Sequence, residues 1–143
     1  MRVVIDTCVW VAAVRSRRGA SFALLSEIPH RRFRFGASAP LFLEYEAKLI
    51  ETVESAQTPL TRTQISAILS ALAFYCSKVS IFYQLRPNLK DENDNMVFEC
   101  AANFGASTIV THNVHDFSAG DLGAYELEIM TPGEFVRKLR RAL

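Results

Sequence analysis

Residues 1–10, MRVVIDTCVW, decide how this chain folds. Three β-branched apolar residues in succession, Val3 to Ile5, predict a strand that is buried on both faces. Asp6 ends that strand, and the apolar run at 9–14 indicates that a helix follows. A carboxylate at the end of so buried a strand is costly unless it has a partner. Asp6 is therefore the first candidate for a functional residue.

The rest of the chain repeats this order of strand and helix. Further strands are predicted at 33–37, 78–83, 107–111 and 128–131, and helices at 20–28, 40–49, 61–72, 94–104 and 132–143. Strands that alternate with helices form a sheet covered by helices on both faces. The sequence therefore predicts an α/β fold with a mostly parallel five-stranded sheet.

Composition and charge exclude several classes of protein. The 143 residues are 50% apolar and 22% charged, with a formal net charge of +1, which fits one globular domain over 1–143 and excludes a polycation that coats nucleic acid. No window approaches the roughly 20 apolar residues that span a bilayer, and Asp6 interrupts the first apolar run too early for a signal peptide. The three cysteines lack paired spacing, so Cys8, Cys76 and Cys100 are expected as core residues of a cytoplasmic protein.

Four acidic residues are predicted to meet at one edge of the sheet, because right-handed crossovers bring the carboxyl ends of parallel strands together. Asp6 ends the first strand, Glu44 lies one turn into the helix after the second, Asp94 opens the helix after the third, and Asp116 lies in the loop after the fourth. Crowded carboxylates repel one another, and Mg²⁺ or Mn²⁺ relieves the repulsion. The pattern predicts an open metal site for a phosphate and an attacking water.

Each acid also has a plain structural interpretation. Asp94 alone could be a helix N-cap, and Asp116 alone could be a turn residue. Glu44 alone could be one of several charges on a solvated helix face, and Glu46 is an alternative candidate for the second acid of the site. The metal site is predicted because these acids occur together with Asp6, the one that is hardest to explain structurally.

Four segments resemble the PIN domain family, in particular the toxin ribonucleases of bacterial VapC-type toxin–antitoxin systems. VVIDTCVW at 3–10 resembles the family's strand ending in Asp-Thr-Asn, and FLEYE at 42–46 resembles the helix with the second acid. DNMVFECA at 94–101 resembles the helix that begins with the third acid, and THNVHDF at 111–117 resembles Thr-Arg-Asn-x-x-Asp-Phe. The resemblance runs from Val3 to about Phe135.

This resemblance implies a three-layer α/β/α fold and Mg²⁺- or Mn²⁺-dependent cleavage of RNA. It also implies a homodimer, and an antitoxin that is encoded beside the toxin and blocks the site. The catalytic metal ligands would be Asp6, Glu44, Asp94 and Asp116. Thr7 and Thr111 could orient a metal-bound water or simply end their strands, and Asn113 could hold Asp116 or a phosphate or simply form a turn.

Basic residues form three clusters: Arg15, Arg17 and Arg18; Arg31, Arg32 and Arg34; and Arg137, Lys138, Arg140 and Arg141. The first could contact RNA phosphates beside the site, which would weaken binding as salt rises, or form a solvated loop. The second is expected at the opposite edge of the sheet, for solubility or partner contact, and the third at a helix end.

Departures from the family pattern keep an alternative open. Cys8 stands where the family usually has Asn, residues 91–93 differ from the usual approach to the third acid, and His112 and His115 replace residues that are often Arg. The two histidines could bind a transition metal, but their loop position favours contact with solvent or RNA. The alternative is a non-catalytic or weakly active RNA- or protein-binding module.

Other enzyme classes lack their signatures here. A dehalogenase-type phosphatase would need an Asp at position 8, and a dinucleotide-binding domain would need a Gly-rich first turn. A response-regulator receiver would need an acidic pair near the first strand and a late Lys.

Overall fold

A parallel sheet forms the centre of the protein, in a computed structural model that describes residues 1–82, 91–118 and 126–142. Its described strands are β1 (Arg2–Ile5), β2 (Arg34–Ala37), β3 (Ser77–Lys78), β4 (Thr108–Val110) and β5 (Glu128–Met130). The α-helices of the same residues are α1 (Thr7–Arg15), α2 (Ala20–Glu27), α3 (Ala39–Glu54), α4 (Arg62–Tyr75), α5 (Glu92–Phe104) and α6 (Pro132–Arg141). Short 3-10 helices lie at Ile28–His30 and Val114–Ser118.

The strand order is β3-β2-β1-β4-β5, and every pairing is parallel. This confirms the predicted α/β class with a five-stranded sheet. Strand β1 occupies the middle of the sheet, where Val3 pairs with Phe35 of β2 and Val4 pairs with Ile109 of β4. That central place explains why Val3, Val4 and Ile5 are fully buried.

Local capping signals mark the starts of four of the described α-helices, α3 to α6. The capping box of α4 is present, with the Thr61 side chain accepting from the Gln64 backbone and the Gln64 side chain accepting from the Thr61 backbone. Thr131 and Glu134 form the same motif at the start of α6. Gly105 ends α5 in the left-handed conformation, at φ 69°, which suits glycine.

Several predicted boundaries are wrong. Helices α3 and α4 continue to Glu54 and Tyr75, beyond the predicted ends at residues 49 and 72. Helix α1 begins at Thr7, directly after Asp6, rather than at residue 9. Helix α5 begins at Glu92 with Asp91 as its N-cap, so Asp94 lies inside the first turn and does not cap the helix. Strand β3 is only Ser77–Lys78, because it is an edge strand that pairs solely with the end of β2; residue 83 of the predicted strand lies outside the described residues.

The basic clusters occupy different parts of the fold. Arg34 begins β2, and the Arg31 guanidinium lies 4.9 Å from the centre of the Tyr75 ring, at the amino edge of the sheet. Lys138 pairs with Glu128 at 3.5 Å near the end of α6. None of the helices that the structure describes is both long and apolar enough to cross a membrane.

Close packing over β2 leads to a first prediction, at Gly36. A Cβ atom there would lie 2.7 Å from Phe104 Cδ2 and 2.7 Å from Val79 Cγ2. We expect Gly36→Ala to lower the free energy of unfolding by about 1–3 kcal/mol, measured by denaturant titration. Gly133→Ala is the control, because its nearest neighbour is 3.6 Å away, and it should be neutral or stabilise by up to about 1 kcal/mol. Equal effects of the two substitutions would contradict the packing argument.

Candidate functional site

A cavity of about 540 Å³ opens where β1 and β4 end. Four of the described parts of the chain form its wall: the residues after β1, one face of α3, the start of α5 and the residues after β4. The residues of the wall are Asp6, Thr7, Cys8, Val11, Ala12, Arg15, Glu44, Lys48, Asp91, Asn93, Asp94, His112 and Asn113.

Asp6 is held in place by side chains that are distant in sequence. It is 1% exposed, and its Oδ2 accepts a hydrogen bond from Thr111 Oγ1 at 2.7 Å. Its Oδ1 accepts from Asn93 Nδ2 at 3.3 Å, and the Cys8 thiol donates to Oδ2 at 3.4 Å. These donors stabilise the charged carboxylate although it is buried. A carboxylate at the end of a buried strand was expected to need such partners.

Asp94 lies in the first turn of α5 and is 3% exposed. Burial, followed by the negative charges of Asp6, Asp91 and Asp116, raises the pKa of its carboxyl from 3.8 to about 6. Carboxylates from separate elements therefore interact electrostatically here, as expected for crowded acids without a cation.

Glu44 lies in the cavity wall, whereas Glu46 is exposed and is not part of that wall. Tyr45 lies between them and is fully buried, and its hydroxyl donates a hydrogen bond to the carbonyl oxygen of Ile5. This bond ties α3 to the end of β1, next to Asp6. The rotation of α3 that it secures places Glu44 at the cavity.

Asp116 is the predicted acid that the structure leaves outside the wall. It is exposed on the 3-10 helix Val114–Ser118, and its backbone N–H donates to the Asn113 carbonyl at 3.0 Å. Its negative charge still helps to raise the pKa of Asp94, although less than burial and the charges of Asp6 and Asp91 do. Three of the four predicted acids are thus brought together.

The supporting residues are divided between two roles. Thr111 does not line the cavity; its hydroxyl donates to Asp6 and accepts from the Asn113 backbone N–H at 3.0 Å. Thr7 lines the cavity and is 4% exposed, and its hydroxyl has no hydrogen-bond partner among the described residues. Asn113 also lines the cavity, but its contact with Asp116 is made through the backbone.

The basic residues proposed for RNA contact are also divided. Arg15 lies in the wall, whereas Arg17 and Arg18 are exposed in the turn after α1 and do not line it. His112 lines the cavity, but its Nε2 is hydrogen-bonded to Ser21 Oγ at 2.9 Å, which ties the start of α2 to the end of β4. The imidazole of His112 is thus used for a structural contact.

The site residues predicted from the sequence do not include Lys48, Asp91 and Asn93 of the cavity wall. Lys48 follows Glu44 by one helical turn, and that spacing was a usable signal. Nothing local pointed to Asn93, whose amide reaches a carboxylate 87 residues away in the chain. Cys8 was expected in the core but is only half-buried and lines the cavity.

The donor set fits a hard divalent cation in its chemistry. Asp6, Glu44 and Asp94 supply carboxylate oxygens, the ligands that Mg²⁺ and Mn²⁺ prefer, and Thr7 adds a buried hydroxyl without a partner in the described residues. Over residues 1–82, 91–118 and 126–142, no group of three or more His, Cys, Asp or Glu side chains is already arranged to hold a metal ion. The carboxylates would therefore have to close around an ion.

The hydroxyl of Thr111 leads to a second prediction. Thr111→Val should lower the free energy of unfolding by about 1–3 kcal/mol. It removes the 2.7 Å hydrogen bond to Oδ2 of buried Asp6, which among the described residues keeps only the longer contact with the Cys8 thiol, and it leaves the Asn113 backbone N–H without its partner. Thr111→Ser keeps the hydroxyl and should retain most of the stability, measured by denaturant titration. The assignment fails if serine is as damaging as valine.

Comparisons with known proteins agree with this architecture. A sequence model of the PIN domain family matches residues 2–115, and no curated protein sequence matches the chain. A structure of VapBC2 from Rickettsia felis, bound to a DNA fragment from its promoter, matches with a TM-score of 0.59 and 14% identity over 92% of this chain and 98% of that chain. A structure of VapBC-1 from nontypeable Haemophilus influenzae matches with a TM-score of 0.59 and 16% identity, over 93% of this chain and 99% of that chain. The structural likeness is one of fold, and the family match covers most of the sequence: the chain belongs to the PIN domain family.

Proposed function

We propose that the protein is a metal-dependent ribonuclease that hydrolyses phosphodiester bonds in RNA, and that it is the toxin of a toxin–antitoxin pair. One observation carries the proposal. Asp6, Glu44 and Asp94, from three elements far apart in sequence, line one cavity of about 540 Å³ at the carboxyl edge of the sheet. Ligands of open parallel sheets bind at that edge.

The roles of the residues follow from their positions. Asp6, Glu44 and Asp94 would hold Mg²⁺ or Mn²⁺, and Asp116 would join them when substrate arrives. The ion, when bound, supplies the positive charge that activates water and stabilises phosphate oxygens. Arg15 and Lys48, both in the wall, would balance the charge of the entering phosphate.

The chain's own side chains favour attack by water over a covalent intermediate. The only thiol in the cavity wall formed by the described residues is Cys8, and burial followed by the charge of Asp6 raises its pKa to about 12. A thiol that stays protonated at neutral pH is a poor nucleophile. Thr111 and Asn93 act through Asp6, whose carboxylate they hold in one orientation.

An antitoxin is the proposed protein partner, since the two similar structures described above are of VapBC proteins. The homodimer, the single domain over 1–143 and the cytoplasmic location stay predictions. A second candidate function is a weakly active or non-catalytic binding module. Two observations favour it: Cys8 stands where the family usually has Asn and contacts Asp6, and no three metal-binding side chains of the described residues are already arranged around one point.

RNA cleavage by the purified full chain tests the proposal. We expect labelled RNA to be cleaved with Mg²⁺ or Mn²⁺ and to stay intact with a chelator. Cleavage that continues in the chelator would rule out the metal mechanism. RNA binding without cleavage under every metal condition would favour the binding module.

The raised pKa of Asp94 predicts that metal affinity depends on pH. Below about pH 6 this carboxyl is protonated, so an ion must displace the proton. Mn²⁺ affinity should therefore rise by roughly tenfold between about pH 5 and 6 and level off near pH 7, measured by calorimetry. Asp94→Asn should flatten that rise, and an equally steep rise in the variant would contradict the assignment.

The raised pKa of Asp94 also makes the stability of the metal-free protein depend on pH, and this stability falls as pH rises. The folded state holds this proton more tightly than the unfolded chain, whose pKa is near 3.8. The contribution of Asp94 to the free energy of unfolding is therefore full at low pH and declines as pH rises from about 4 to about 6.

A further inference from the structure

We propose that Cys8 and Asp6 together chelate a thiophilic, tetrahedral divalent cation such as Zn²⁺, and that this ion competes with Mg²⁺ or Mn²⁺ for the cavity. The binding claim rests on the geometry of two side chains. Its consequence, inhibition by Zn²⁺, rests on the proposed nuclease function.

The spacing of the two donor atoms fits a single tetrahedral ion. Cys8 Sγ lies 3.4 Å from Asp6 Oδ2. In a tetrahedral zinc site, with Zn–S of about 2.3 Å and Zn–O of about 2.1 Å, a sulfur and an oxygen on the same ion are about 3.6 Å apart. The pair therefore needs almost no movement to bind Zn²⁺. Mg²⁺ and Mn²⁺ favour oxygen ligands and gain little from a thiol.

Binding would replace the hydrogen bond from the Cys8 thiol to Asp6, and it would also change the 3.6 Å contact between Cys8 Sγ and Thr111 Oγ1. The Cys8 thiol now donates its proton to Asp6 Oδ2. Zn²⁺ would take the place of that proton between Sγ and Oδ2, and the proton would leave to solvent. The hydrogen bonds from Thr111 to Oδ2 and from Asn93 to Oδ1 can remain, so Asp6 keeps its orientation.

A second, independent observation indicates that a ligand belongs beside this pair. Thr7 lies between the two donors in the chain, lines the same cavity and is 4% exposed. Within the described residues its hydroxyl has no hydrogen-bond partner, and a buried hydroxyl of this kind is costly unless something satisfies it. Water on an ion at Cys8 and Asp6 would supply the partner. Water would also fill the remaining positions on the ion, because no third His, Cys, Asp or Glu of the described residues is already arranged with this pair to hold a metal.

Cys76 provides a matched control. It is half-buried like Cys8, and its thiol donates to the Ser77 carbonyl oxygen. It lines a different cavity, of about 470 Å³, whose wall contains no acidic residue among those described. Cys76 thus has a comparable thiol without a neighbouring carboxylate.

Cadmium titration of the full chain tests the binding claim directly, because a cadmium–thiolate bond has its own ultraviolet charge-transfer band. We expect one Cd²⁺ per chain to produce the band in the wild type and in Cys76→Ser, and no band in Cys8→Ser. The ratio of Zn²⁺ to Mn²⁺ affinity should fall at least roughly tenfold in Cys8→Ser. Cys8→Asn, with circular dichroism as a folding check, should repeat the loss. A band that persists in both folded Cys8 variants, or an unchanged affinity ratio, would overturn the inference.

The outcome can be separated from that of the nuclease proposal. Zn²⁺ added to the Mn²⁺-loaded protein should inhibit RNA cleavage by the wild type at lower concentrations than by Cys8→Ser. A Cys8-dependent cadmium band in a protein that cleaves no RNA would support this site and contradict the nuclease function. Metal-dependent cleavage without such a band would support the nuclease function and contradict the site at Cys8.

Discussion

Asp6→Asn is expected to reduce RNA cleavage by at least about 100-fold while leaving the fold intact. Loss of a residue that only supports a metal ligand costs roughly 10- to 100-fold in affinity or activity, and Asp6 is proposed as a ligand itself. Asparagine has nearly the same shape and keeps an oxygen that can accept from Thr111. It lacks the charge that the cation requires, so activity should fall far more than stability.

Cleavage rates with Mn²⁺, together with denaturant titrations, measure both parts of this prediction. Glu44→Gln should also lower cleavage, whereas Glu46→Gln is the matched control, because Glu46 lies two residues along the same helix but outside the cavity wall. Near-normal cleavage by folded Asp6→Asn would remove Asp6 from the mechanism. Equal losses in the two glutamine variants would show that the helix, and not the cavity, is responsible.

Trp10→Ala is expected to have the largest effect on stability, lowering the free energy of unfolding by about 3–5 kcal/mol. Trp10 is 1% exposed on α1. Its ring packs edge-on against the rings of Phe35 of β2 and Tyr45 of α3, with distances between ring centres of 6.0 Å and 6.2 Å. Removing it would open a cavity where two helices meet the sheet and would loosen the packing around Tyr45, which ties α3 to the end of β1.

Thermal unfolding should show a fall of about 10 °C in melting temperature for Trp10→Ala. Leu43→Ala provides the comparison, because Leu43 is 63% exposed on α3, and its effect should stay within about 0.5 kcal/mol. A loss below about 1 kcal/mol for Trp10→Ala would contradict its role as a central packing residue.

Local patterns were sufficient for the order of strands and helices and for the starts of α2, α4 and α6. Val3 to Ile5 identified a buried strand because a strand covered on both faces has to be apolar throughout. The capping box at Thr61 and Gln64 was readable because its two partners are three residues apart. The start of α5 was misassigned because Asp91 and Asp94 are both good capping residues, and sequence alone does not choose between them.

The sequence by itself therefore determined the parallel α/β architecture and the acids that follow its strands, since both depend on the order of short segments. Only the tertiary structure decided that Glu44 rather than Glu46 meets the cavity, through the bond from Tyr45 to Ile5. It also brought Asn93 and Thr111 to Asp6 across 87 and 105 residues of chain. Such contacts depend on how the helices rotate and pack on the sheet. The raised pKa of Asp94 also depends on packing, because its causes are burial and the charges of neighbouring acids.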